Sequence, residues 1–140
     1  MIRHPDWPSR LDRYVRSAQG KRFRRGRDDC ALFACGAIAA MTGEDPGAWF
    51  RGRYRSAFAA RHALRLFAGG GLAETVEKLA ERHQATEVAP LQARRGDLVL
   101  AQGFEGIDAL GICVGRAAAF MMPRGLTFVP MDRVLRAWRI

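Results

Sequence analysis

The run from Cys30 to Met41 contains no charged residue and constrains this chain more than any other segment. It is rich in Ala, follows the acidic pair Asp28-Asp29 and stops at Thr42-Gly43. An Asp before the run and a Gly after it are the side chains that cap the two ends of a helix. The pattern predicts a helix with Cys30 in its first turn. A helix with no polar face has to be buried on all sides, so the remaining residues must wrap around it. The run is too short for a bilayer, which takes about 20 apolar residues. A chain of 140 residues is one ordinary domain, large enough to enclose such a helix without disulfides or metals.

Around this helix the chain divides into three parts of a single domain spanning 1–140. Residues 1–27 are a basic N-terminal helix and loop. The helix opens at Pro8-Ser9, sets Leu11, Tyr14, Val15 and Ala18 against Arg10, Arg13 and Arg16, and ends at Gly20. Residues 28–90 are helical. After the central helix, Asp45-Pro46 is expected to start a short helix through Trp49 and Phe50. Two more helices follow, Ser56 to Ala68 and Leu72 to Gln84, split by Gly69-Gly70-Gly71. Residues 91–140 change period. Leu98 to Ala101, Ala109 to Gly115, Ala117 to Met122, Leu126 to Val129 and Ala137 to Ile140 read as short strands, with a helical turn at Met131 to Arg136. The expected class is α+β, a buried helix packed on a small antiparallel meander. Trp7, Trp49, Phe50, Phe104, Phe120 and Trp138 are expected to be core or interface anchors.

Basic residues number 23 against 14 acidic ones, a formal charge of +9. They form two groups, Lys21, Arg22, Arg24, Arg25 and Arg27 in the first, and Arg51, Arg53, Arg55, Arg61 and Arg65 in the second. Such a balance raises the question of nucleic acid. No helix-turn-helix, zinc-knuckle or repeated stacking aromatic accompanies either group. Arg beside Phe50 and Tyr54 is instead the composition of protein interfaces. The interface candidates are Lys21, Arg22, Arg24, Arg25, Arg27, Arg51, Arg53, Tyr54 and Arg55, read as two flanking surfaces. No signal peptide is expected, since the first 27 residues are charged almost throughout.

Cys30, Cys35 and Cys113 are an odd number without a C-x-x-C pair, so no disulfide framework, metal or cofactor is expected. Cys35 and Cys113 read as buried small hydrophobes. Cys30 differs, because the positive end of a helix favours thiolate and its free N–H groups can stabilise an oxyanion. A nucleophilic cysteine also needs a base, and the base a polar group to orient it. Asp28 and Asp29 are expected to serve as caps and as partners for Arg25 or Arg27. His62 is expected on an exposed helix face, His83 at a helix end and His4 on the N-terminal arm, none of them placed to serve Cys30.

Three blocks resemble the NlpC-type papain-like cysteine peptidases: Asp29-Cys30-Ala31-Leu32-Phe33, Arg95-Gly96-Asp97-Leu98-Val99-Leu100 and Ala109-Leu110-Gly111-Ile112-Cys113-Val114-Gly115. The resemblance covers about residues 24–125. It implies an NlpC/papain-like α+β fold with the nucleophile at Cys30. The base of that family falls on Ala109, and the third polar position falls near Phe120 or Met121. Only the nucleophile position therefore matches, and Cys30 is read as vestigial.

A second set of motifs is similar to a small domain of unknown function found among tail genes of phages and prophages. These are Met41-Thr42-Gly43-x-Asp45-Pro46, Phe50-Arg51-Gly52-Arg53-Tyr54, the Gly69 to Leu72 turn and Ala137-Trp138-Arg139. The resemblance implies a structural or adaptor protein of a tail tip, made in the bacterial cytoplasm. Hub, distal-tail or baseplate proteins and further copies of the chain are its implied partners. The alternatives are an active cell-wall peptide amidase using Cys30 with an unorthodox base and, below it, a DNA-contacting module.

Overall fold

The computed structural model describes residues 1–103 and 107–140. Phe104, one of the expected aromatic anchors, lies outside them. Four α-helices come first: α1 (Trp7–Ala18), α2 (Cys30–Thr42), α3 (Ala57–Ala68) and α4 (Leu72–Arg82). Six strands follow: β1 (Thr86–Val88), β2 (Leu98–Gln102), β3 (Asp108–Cys113), β4 (Ala117–Met122), β5 (Gly125–Pro130) and β6 (Val134–Arg139). Short 3₁₀ turns occupy Pro90–Gln92 and Met131–Arg133.

The class is α+β, with one antiparallel sheet in the order β1-β6-β2-β3-β4-β5. The expected meander holds from β2 to β5. The closing strand departs from it: β6 returns across the sheet and pairs with β2, with β1 on its outer edge. β1 itself lies inside the part of the chain expected to be helical. Its three residues are too few to show a period, and only its pairing with Ala137, Trp138 and Arg139 makes it a strand.

Alternation along the strands gives the sheet two apolar faces. Leu98, Leu100, Leu110, Ile112, Met121 and Trp138 pack with Leu11 and Val15 of α1 and with Phe33, Ala37, Ile38 and Met41 of α2. Val99, Ala101, Ala109, Cys113, Phe120 and Ala137 form a cluster on the opposite face. On the other side of α2, Leu32 clusters with Phe50, Tyr54 and Ala63, with Trp49 and Phe67 packed against them. Trp49, Phe50 and Phe67 meet there with ring centroids 4.8–5.2 Å apart. No residue of α2 is exposed, as its lack of a polar face requires.

The short helix expected after Asp45-Pro46 is a series of turns. Asp45 Oδ1 accepts the Gly47 N–H at 2.9 Å, and the Phe50 N–H bonds only three residues back, to the Gly47 carbonyl. Gly47 lies against the Cys35 side chain, so close that a Cβ there would stand 2.8 Å from that of Cys35. An Asp that bonds its own backbone two residues on favours a turn over helix propagation.

Candidate functional site

Cys30 is the first helical residue of α2, directly after the capping Asp29. Asp29 is 3% exposed and accepts three donors: the Leu32 N–H at 2.9 Å, the Gly26 N–H at 2.9 Å and the Tyr54 hydroxyl at 2.6 Å. One carboxylate thus caps the helix and ties two loops to it. Asp28 lies 3.8 Å from Lys21 and 3.7 Å from Arg24, so the expected pairing of these acids with Arg25 or Arg27 is corrected. The reason is local. Arg24 and Asp28 exchange backbone bonds across a tight turn, which sets their side chains together.

The Cys30 side chain packs against the face of the sheet that carries Ala109 and Phe120. The three positions picked out by the peptidase resemblance therefore meet. Only one of them carries a reactive group. Ala109, opposite Ala101 in the β2–β3 ladder, and Phe120 are 4% and 1% exposed. The Phe120 ring lies over Gly111, where a Cβ would stand 2.6 Å from it. Met121 points to the helix-covered face instead. A cavity of about 390 Å³ opens beside Ala109, Phe120 and Met122, rimmed by Gln102, Thr127 and Arg133.

Burial pushes the Cys30 thiol above its ordinary range and the Asp29 carboxylate adds to this; the Leu110 and Ala31 amides and Arg25 act the other way without prevailing. The helix end was expected to favour thiolate. Burial acts against it, because the charged form loses hydration. The shift is towards the protonated thiol, and the side chain packs against apolar residues of the sheet.

The histidines do not change this. The His4 N–H bonds the Met41 carbonyl at 2.8 Å, and His83 Nδ1 stands 3.5 Å from Glu44. Both sit at the C-terminal end of α2, which 13 residues place about 20 Å from Cys30. His62 is exposed on α3. Cys35 and Cys113 are buried as expected.

The two arginine groups, expected on separate surfaces, converge. Arg24, Arg25 and Arg27 from one loop and Arg51 and Arg55 from another line a cavity of about 610 Å³, together with Tyr54. The loops are held together by the Gly52 N–H to Gly26 carbonyl bond at 2.9 Å. Gly26 has φ +79°, and a Cβ there would lie 1.9 Å from the Tyr54 carbonyl oxygen, so only glycine fits. Arg51 is paired with Asp45 at 2.6 Å. Tyr54, expected as an interface contact, is 8% exposed and acts as a brace on Asp29. Arg53 stacks 4.4 Å over Trp49, away from the cavity, and Lys21 and Arg22 lie outside its lining.

Among the described residues no group of His, Cys, Asp and Glu is arranged to hold a metal ion, and no helix is long and apolar enough to cross a membrane. No curated protein matches the sequence. The family model described as a domain of unknown function, DUF6950, matches residues 2–140.

Proposed function

The chain belongs to the DUF6950 family, and we propose that it is a non-hydrolytic structural or adaptor component of a phage or phage-like tail tip, built on an NlpC/papain-like fold. The single observation that carries the loss of hydrolysis is the apolar contact of Cys30 with the cluster of Ala109 and Phe120. A thiol raised by burial needs a base to become a nucleophile, and general-base assistance is worth ~10²–10⁴-fold in such reactions. Neither a methyl group nor a phenyl ring can take a proton. The placement in a tail rests on the tail-domain motifs of the sequence, and hub, distal-tail or baseplate proteins are the partners this reading implies.

Two measurements test the reading together. Purified protein incubated with peptidoglycan leaves its turbidity and soluble peptide content unchanged, while the chain co-sediments with assembled tails. Clearing that disappears in Cys30→Ser would establish an active amidase instead. Tails assembled normally without the chain would remove the structural role.

A further inference from the structure

The arginine cavity has properties that a solvated basic face lacks. Its two walls are pinned by the Gly26–Gly52 backbone bond and by Asp29, which holds the Gly26 N–H and the Tyr54 hydroxyl at once. Like charges are therefore brought together by a fixed scaffold and not by chance side-chain excursions. No carboxylate lines the cavity among the described residues. Arg24 has only a loose contact to Asp28 and Arg51 is bound to Asp45, whereas Arg25, Arg27 and Arg55 have no acidic partner within 4.0 Å among the described residues. Planar guanidinium groups converging on one space suit carboxylates, which they bind through paired hydrogen bonds.

Beyond Arg55 the same loop runs straight into α3, which buries only Ala63. Phe58 and Leu66 are 74% and 71% exposed on this helix, with Arg61 and Arg65 between them. Phe58, Arg61 or His62, and Arg65 or Leu66 recur at helical spacing, so apolar and basic side chains share an exposed stripe. We propose that the cavity and the α3 stripe form one docking surface for a partner-protein segment in which acidic residues alternate with apolar ones. The acidic side chains enter the cavity and the apolar ones meet Phe58 and Leu66. A DNA duplex fits less well: its phosphates lie on a rigid convex cylinder, and it offers no apolar counterpart to the exposed Phe and Leu. The inference rests on the adaptor reading only for the source of the segment.

The test titrates the full chain at physiological ionic strength with three labelled probes: a peptide alternating Glu and Leu, the same peptide with Gln for Glu, and a mixed-sequence DNA duplex. The Glu-Leu peptide binds well ahead of the other two. The triple variant Arg25→Gln/Arg27→Gln/Arg55→Gln weakens its binding at least about tenfold, the loss of one or more charge-assisted hydrogen bonds. An equally charged control, Arg13→Gln/Arg116→Gln/Arg133→Gln, keeps the affinity close to that of the unmodified protein. Thermal melts verify that both triples fold, and Arg55→Glu, on the exposed rim, serves should the cavity triple fail to.

Equal binding of the Glu and Gln peptides, equal losses in both triples, or tighter binding of DNA than of the Glu-Leu peptide would each overturn the inference. None of these outcomes touches the reading of Cys30 as inert. Hydrolysis dependent on Cys30 would overturn that reading while leaving peptide capture intact.

Discussion

Asp29 accepts from a helix N–H, a loop N–H and a tyrosine hydroxyl that lie up to 25 positions from it in sequence. In the sequence it is legible as a helix cap and as a partner of nearby arginines, whereas the Tyr54 hydroxyl reaches it only through the fold. Its replacement therefore does more than remove a cap. Asp29→Ala leaves the Gly26 N–H and the Tyr54 hydroxyl buried without an acceptor, and each such group costs about 1–3 kcal/mol on top of about 1 kcal/mol for the cap. We expect a loss of roughly 3–7 kcal/mol in chemical denaturation and weaker capture of anionic probes, since both loops lose their anchor. Tyr54→Phe removes one donor and leaves the helix cap, and about 1 kcal/mol is expected. Equal losses for the two variants would show that the carboxylate acts through the tyrosine alone. Cys30, the neighbouring residue, shows the limit of a motif: its position in the first turn is legible, and the burial that raises its thiol depends on strands some 80 residues away.

At the level of elements, α2 illustrates which parts of the fold local chemistry determines. Its ends follow from Asp29 and from Gly43, which adopts φ +81°, and its burial follows from its composition. The boundaries of α3 follow likewise from Ser56, whose side chain accepts the Ala59 N–H, and from Gly69 at φ +74°. The return of β6 to β2 and the pairing of β1 are set by partners distant in sequence, and no periodicity records them. The meeting of the two arginine loops has the same origin. Gly36 in the middle of α2 also has a non-local explanation. Gly in a helix interior is about 1 kcal/mol worse than Ala, so propensity alone predicts that Gly36→Ala stabilises. Here a Cβ would lie 2.1 Å from the Tyr14 hydroxyl oxygen and 2.8 Å from the ring carbon bearing it. Tyr14 stacks on Phe33 and donates to its carbonyl at 2.9 Å, so it cannot withdraw without losing both contacts. We expect Gly36→Ala to destabilise by about 1–3 kcal/mol, the range for overpacking. Tyr14→Ala/Gly36→Ala should recover part of that loss relative to the sum of the single changes, read from a double-mutant cycle in denaturant. Additive losses would show that the Tyr14 contact is not what Gly36 accommodates.

Across the whole molecule, the titration of buried groups and the composition of the basic residues combine into one pH profile. Burial pushes the Cys35 thiol from 9.0 up to about 12, and Asp45 adds to this while Arg51 opposes it. Burial likewise raises Tyr14 from 10.0 to about 12, with Tyr54 and Cys113 also raised, Tyr54 by its bond to Asp29 as well. Each of these groups stays protonated in the folded chain at a pH where the unfolded chain has released its proton. The folded state then binds more protons than the unfolded one, so stability falls as pH rises. Their contribution is fully present below about pH 9 and is lost progressively towards pH 12. Opposing titration of the basic side chains is small in this window, because all but Lys21 and Lys78 of the 23 are arginine, which remains charged throughout. The melting temperature should therefore be flat between pH 7 and pH 9 and fall by several degrees by about pH 11. Cys35→Ala has a lower starting stability, from the smaller side chain beside Gly47, and a shallower alkaline decline. A decline equally steep in that variant would assign the effect to the tyrosines, and a melting temperature that rises with pH would contradict the burial of all four groups.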